Sequence, residues 1–186
     1  MDYAQFFEKH SRLNGTNQIA VLKTECMDAF IEAVVADAAI DREYKALMLT
    51  SLSGGLRINE ALALCKADFT VQDGQLYVTI KVLKKRKAEQ RLVKVHPKAA
   101  PTVQAWLSTV VGKPFKKSSR TALRRIKDLI GLSEICNHSL RHSLISYLLF
   151  EKNLTHIKAA KLIHIGLESM LHYSHLNERK AWAEVF

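Results

Sequence analysis

Residues 138–150 read His138-Ser139-Leu140-Arg141-His142-Ser143-Leu144-Ile145-Ser146-Tyr147-Leu148-Leu149-Phe150. From Leu144 onward this stretch is apolar nearly all the way round a helix, and such a helix is buried. Its first turn differs. His138 and Arg141 stand three apart, on one face, so a helix that belongs in the interior opens with two polar heads side by side. An ordinary solvated helix start has the same appearance. His138 and His142, four apart, also have a spacing that zinc sites use. That reading is poor here: Arg141 would set a fixed cation beside the metal, no acidic residue lies between the histidines, and Cys136 is the one soft ligand nearby.

Upstream, Gly54-Gly55-Leu56-Arg57-Ile58-Asn59-Glu60-Ala61-Leu62-Ala63-Leu64 raises a similar question. The apolar spacing predicts a helix from about Arg57 to Lys66, with Ile58, Ala61, Leu62 and Cys65 on one face. Arg57 then lies in the first turn, where the helix dipole disfavours a cation. A bound anion removes the conflict, because helix N-termini and arginine forks both favour phosphate. A surface pair between Arg57 and Glu60, at i+3, explains the same residues. Downstream, Lys161-Leu162-Ile163-His164 is followed, nine residues after the histidine, by Tyr173, with His172 and His175 on either side. Taken singly these are bland: a lone histidine is usually structural and a tyrosine usually packs.

The rest of the chain is read by periodicity. Residues 1–18 are polar and mixed, and predict a tail or the remnant of a linker. Helical spacing runs from Ile19 to Ala39. Asp41 has the character of an N-cap for a helix Arg42 to Leu52, which stops at Gly54-Gly55. Phe69 to Val71, a Gln72-Asp73-Gly74 turn, Leu76 to Leu83, and Arg91 to Val95 predict three short strands. Lys84-Lys85-Arg86-Lys87-Ala88-Glu89 joins the last two. After Pro97, helices are predicted near Ala99–Val111, Ser119–Ile130, Ser139–Phe150, Thr155–Ile163, Leu167–His172 and Glu178–Val185. The expected architecture is mainly α, over residues 19–186, with a small three-stranded antiparallel β-sheet.

The chain has 186 residues, 48% hydrophobic and 25% charged, enough for a core without disulfides. Lysine and arginine total 28 against 18 acidic residues, a net charge of +10. That excess speaks of partners, with nucleic acid first and an acidic membrane surface second. Cys26, Cys65 and Cys136 are far apart and form no C-x-x-C, which fits a reducing compartment. Met1 to Asn14 carries Asp2 and Glu8 and has no apolar stretch of signal-peptide type. No apolar run approaches the roughly 20 residues that span a bilayer. A cytoplasmic, nucleoid-associated location is expected.

In order, the chain therefore presents Arg57 in its glycine-led box, a lysine-bearing hairpin, His138-x-x-Arg141, His164 and Tyr173. This order resembles the catalytic domain of tyrosine recombinases, the phage-integrase and Xer-type family. Residues 54–64 are similar to the family's first arginine box, residues 138–149 to its second, and residues 162–176 to its third, including the step from histidine to tyrosine. The likeness spans about residues 20–180. Two residues depart from the usual pattern: Ile163 stands where glycine commonly precedes the histidine, and Gly54-Gly55 replaces Thr-Gly. The family's N-terminal core-binding domain is expected to be absent from this stretch.

The resemblance implies strand cleavage by transesterification. Tyr173 would attack a DNA phosphorus, giving a 3′-phosphotyrosine and a 5′-hydroxyl. Arg57 and Arg141 would neutralise the nonbridging oxygens as charge builds. His138 would help accept the tyrosine proton or orient the phosphate, and His164 would hydrogen-bond it. A hairpin lysine would protonate the leaving oxygen. The candidates are Lys85, then Lys87 and Lys84. Counting back from Arg91 as family hairpins do falls on Arg86, which is too poor an acid for the role. No metal or nucleotide cofactor is expected, and no P-loop is present. Double-stranded DNA is the expected partner, with further protomers assembling on it as a synaptic tetramer. Phosphate contacts would come from Lys84, Arg86, Lys87 and Arg91 around the hairpin, and from Lys116, Lys117, Arg120, Arg124 and Arg125. Those residues also make an ordinary solvated face. Two other functions fit the same sequence: relaxation chemistry of the type IB topoisomerase kind, and a non-enzymatic basic module that binds nucleic acid and leaves Tyr173 dispensable.

Overall fold

Helix α2 (Arg42–Gly54) is the axis of the core. Asp41 starts it, its carboxylate accepting from the backbone N–H groups of Glu43 and Tyr44 at 3.0 and 3.4 Å. From Ala46 to Leu52 every residue is buried, so the helix is covered on all sides. It ends at Gly55, whose φ of +56° is left-handed, and the Leu56 N–H reaches back to the Ser51 carbonyl at 2.9 Å. This is a computed structural model, and it describes residues 1–11, 18–84, 87–136 and 138–171.

Around α2 stand α1 (Met27–Ala36), α4 (Ala100–Thr109), α5 (Ser119–Ile130) and α6 (Ser139–Ser146). Ser118 caps α5 through its hydroxyl, at 3.2 Å from the Thr121 N–H. The short α3 (Ile58–Leu62) follows α2 and leads to the three-stranded sheet, β3 (Phe69–Gln72), β4 (Gln75–Lys84) and β5 (Lys87–Lys94), antiparallel in that order. Asp73 and Gly74 both take positive φ, the backbone of a tight two-residue hairpin turn. Leu76, Val78 and Ile80 point from β4 into the core.

Two expectations from the sequence need correction. Residues 19–22 are not the start of a helix but strand β2 (Gln18–Leu22), and α1 begins only at Met27. Ile19, Ala20, Val21 and Leu22 are all buried, so the run has no polar face to distinguish the two conformations. Its partner is β1 (Phe7–Ser11), which lies in the stretch read as a polar tail. Tyr3 and Phe7 are buried there. Tyr3, Phe6 and Phe7 set their rings edge-on to Phe30 at centroid distances of 5.9, 5.9 and 5.4 Å. The Tyr3 hydroxyl donates to the Asp37 carboxylate at 2.9 Å, and burial with that carboxylate holds its pKa above the usual tyrosine value.

Phe30→Ala should accordingly cost about 3–5 kcal/mol of stability. Deleting residues 1–11 should lower the urea midpoint as well, since it strips three rings from Phe30. A midpoint unmoved by that deletion would mean that the N-terminal segment is not part of the core.

The helix predicted over Ser139–Phe150 is α6 followed by a π-helical turn, Tyr147–Glu151. Helices α7 (His156–Ile163) and α8 (Leu167–Leu171) join that turn in a second apolar cluster of Ile145, Leu149, Ala159, Ala160, Ile163 and Met170. The helix predicted near Glu178–Val185 lies outside the described residues. Among the described residues no helix is long and apolar enough to cross a membrane.

Candidate functional site

Arg57 is the residue at which α3 begins. Its backbone N–H donates to Glu60 Oε2 at 2.9 Å and its guanidinium Nη1 to Oε1 at 2.9 Å, so one carboxylate caps the helix and holds the side chain. The Arg57 side chain is 48% exposed. An oxyanion that engaged this fork would compete with Glu60 for it.

Arg141 lies in the first turn of α6 and is buried. Its Nη1 donates to the Gly55 carbonyl at 2.7 Å and its Nη2 to the Ile163 carbonyl at 3.2 Å. The guanidinium thereby ties the end of α2 to the end of α7. Gly55 must be glycine for two reasons: its φ is left-handed, and a Cβ there would stand 3.1 Å from Leu144 Cδ2 and 3.8 Å from Arg141 Cγ. Arg141 Nη1 also lies 3.8 Å from Glu60 Oε2. Glu60 is thus the point at which the first and second boxes meet.

His164 follows Ile163 directly, half-buried, with the left-handed φ of 53° that ends α7. Ile163, unusual beside the family pattern, is buried, with its Cγ2 at 3.7 Å from where a Gly55 Cβ would be. His138 stands at the N-terminal boundary of α6, exposed, its ring 6.3 Å from that of His142. Among the described residues no group of three or more histidine, cysteine and acidic side chains is arranged to hold a metal.

Arg91 departs from its expected place on a DNA-facing surface. It is 4% exposed and stands opposite Ile80 on the inward face of the sheet. Its Nη2 lies 3.9 Å from Glu60 Oε2, and among the described residues none of its three nitrogens has a hydrogen-bond partner. Burial pushes its pKa down to about 10; Arg141 and Arg57 push the same way, and Glu60 opposes them. The alternation Arg91-x-Val93-x-Val95 contains the signal for this placement, because residues two apart share a strand face. Three guanidinium groups, from α3, β5 and α6, therefore gather on one carboxylate.

Strands β4 and β5 pair as far as Lys84 opposite Lys87. Lys85, Arg86 and Tyr173 lie outside the described residues. Lys116, Lys117, Arg120, Arg124 and Arg125 are all exposed, while Ala122, Ile126 and Ile130 turn the other side of α5 into the core. Lys117 lies 3.9 Å from Glu43.

The pattern of the phage integrase family matches residues 20–180, and the chain belongs to that family. Its fold is that of a recombinase catalytic domain. The site-specific recombinase XerH, solved in a post-cleavage complex with palindromic difH substrate, superposes with a TM-score of 0.68 at 20% identity, over 89% of this chain and 52% of that one. The catalytic domain of bacteriophage HP1 integrase superposes with a TM-score of 0.56 at 17% identity, over 84% of this chain and 88% of that one. The Tn1549 transposon integrase, in complex with circular intermediate DNA, gives 0.57 at 12% identity, over 82% and 61%. The chain spans about half the length of the XerH chain it matches. Among curated proteins no match is found.

Proposed function

We propose that this chain, its N-terminal strand included, forms the catalytic unit of a site-specific DNA recombinase or integrase, which cleaves and rejoins strands through a 3′-phosphotyrosine. The observation that carries this reading is the meeting of Arg57 and Arg141 at Glu60, with His164 one residue beyond a carbonyl that Arg141 binds. Two arginines brought together from distant boxes suit an anion whose charge grows during reaction. Tyr173 Oη attacks phosphorus, a P–O bond to tyrosine forms, and the P–O5′ bond breaks. The tyrosine proton leaves with the help of His138. Arg57, Arg141 and His164 hold the nonbridging oxygens. The leaving 5′-oxygen takes a proton from a hairpin lysine, for which Lys85 is the choice ahead of Lys87 and Lys84. Double-stranded DNA is the substrate, and further protomers assemble on it for strand exchange. Lys116, Lys117, Arg120, Arg124 and Arg125 supply phosphate contacts on the surface.

The test is a pool of nicked duplexes with randomised arms, whose short 5′-hydroxyl fragment diffuses away after cleavage. The wild-type chain should leave an SDS-stable protein–DNA adduct, and Tyr173→Phe should bind the same pool without forming one. An undiminished adduct in Tyr173→Phe would falsify the nucleophile. DNA binding with no adduct from either chain would favour a non-enzymatic module.

The lysine is tested separately. A bridging 5′-sulfur makes the leaving group good without an acid. Lys85→Ala should be slow on the ordinary phosphate and regain speed on the sulfur substrate. If Lys85→Ala cleaves the ordinary phosphate at the wild-type rate, the acid is Lys87 or Lys84.

A further inference from the structure

Arg91 has no part in the chemistry just proposed. A buried charge without a hydrogen bond is among the costlier things a core can contain, and a methionine would fill the same space on β5 at less cost. Its neighbour across the ladder is Ile80, and its own face of β5 continues with Val93 and Val95. The ion pair it does make is long: Nη2 to Glu60 Oε2 is 3.9 Å, beyond hydrogen-bond length.

Glu60, meanwhile, has two conflicting duties. It grips Arg57 through both oxygens, at 2.9 Å each. A phosphate that takes the Arg57 fork competes for the side-chain half of that grip and comes up against the Glu60 carboxylate. Two like charges so close repel each other. Oε2 already lies 3.9 Å from Arg91 Nη2.

We infer that Arg91 is a waiting counter-ion for Glu60: when a phosphate engages Arg57 and Arg141, Glu60 closes on the Arg91 guanidinium, which releases Arg57 and keeps the carboxylate neutralised. Arg91 is a positioning residue in this scheme and touches no substrate. The inference rests on the reading of Arg57 and Arg141 as a phosphate site. It accounts for an arginine buried with unused donors, because those donors are used only in the loaded state.

The test follows arginine side-chain Nε–Hε resonances of the whole chain during titration with inorganic phosphate. In the wild type, Arg57 and Arg141 signals should move, and the Arg91 signal should move with the same midpoint. Arg91→Met should weaken phosphate by about tenfold, the size of one lost ionic contact. Arg91→Lys keeps the charge and should recover most of that loss. In a Glu60→Gln background, where no carboxylate needs neutralising, Arg91→Met should change phosphate affinity less than about twofold. A purely structural Arg91 would make Arg91→Met less stable. The counter-ion scheme expects its thermal midpoint to rise, by about 2–4 °C, while binding weakens. Unchanged phosphate affinity in Arg91→Met, or a loss that persists undiminished in Glu60→Gln, overturns the scheme. If phosphate moves neither Arg57 nor Arg141 in the wild type, the phosphate-site reading itself fails and the scheme falls with it.

Discussion

Arg141→Met should lose both stability and cleavage. The substitution removes the donors that reach the Gly55 carbonyl at 2.7 Å and the Ile163 carbonyl at 3.2 Å, inside the protein. Buried carbonyls left without a charged donor cost about 2–4 kcal/mol together. Cleavage of a suicide duplex should fall by about a thousandfold or more, as for removal of a principal donor to a developing oxyanion. Arg141→Lys separates the two effects. An ammonium keeps the charge but has no planar fork to span two carbonyls and a phosphate at once. It should regain most of the urea midpoint and little of the single-turnover rate. Cleavage by Arg141→Lys at the wild-type rate would mean that charge alone suffices there.

Arg57→Ala should lose cleavage alone. Its side chain is half exposed, and its pair with Glu60 at 2.9 Å is a surface ion pair, worth at most about 1 kcal/mol. The urea midpoint should therefore barely move. The single-turnover rate should fall by about a hundredfold to a thousandfold under the role proposed for the fork, at the point where charge develops. A lost midpoint equal to that of Arg141→Met would show Arg57 to be a structural residue.

The contrast between the two arginines was only half legible in the sequence. Both boxes stand out by residue type, and the Arg57–Glu60 pair follows from i+3 spacing. Of the two explanations of Arg57, the pair with Glu60 is present, and it leaves the side chain 48% exposed. That Glu60 also lies within 4 Å of Arg91 and Arg141 has no local signature, because the three arginines come from separate elements. Arg91 illustrates the same limit. Its charge suggested a surface contact, whereas the alternation with Val93 and Val95 pointed inward, and the strand geometry decided.

Elements with their own start and stop signals are legible in the sequence. Asp41 and Gly55 bound α2, Ser118 and Gly131 bound α5, and Asp73-Gly74 turns β3 into β4. The N-terminal hairpin is hidden because the unbroken apolar run of residues 19–22 also continues the helical spacing that follows it. Its partner strand lies across a polar stretch. Tyr3, Phe6 and Phe7 were the available clue, three rings that a solvated tail has no use for.

The proposed recombinase breaks DNA by bonding it to Tyr173. The direct measurement is mass spectrometry of the trapped adduct after nuclease trimming and proteolysis. A nucleotide remnant should be joined by a phosphodiester to the peptide that contains Tyr173, and to no other peptide. A remnant on the peptide of Tyr44, Tyr77 or Tyr147, or a wild-type chain that binds the nicked duplexes and yields no linked peptide, would contradict it.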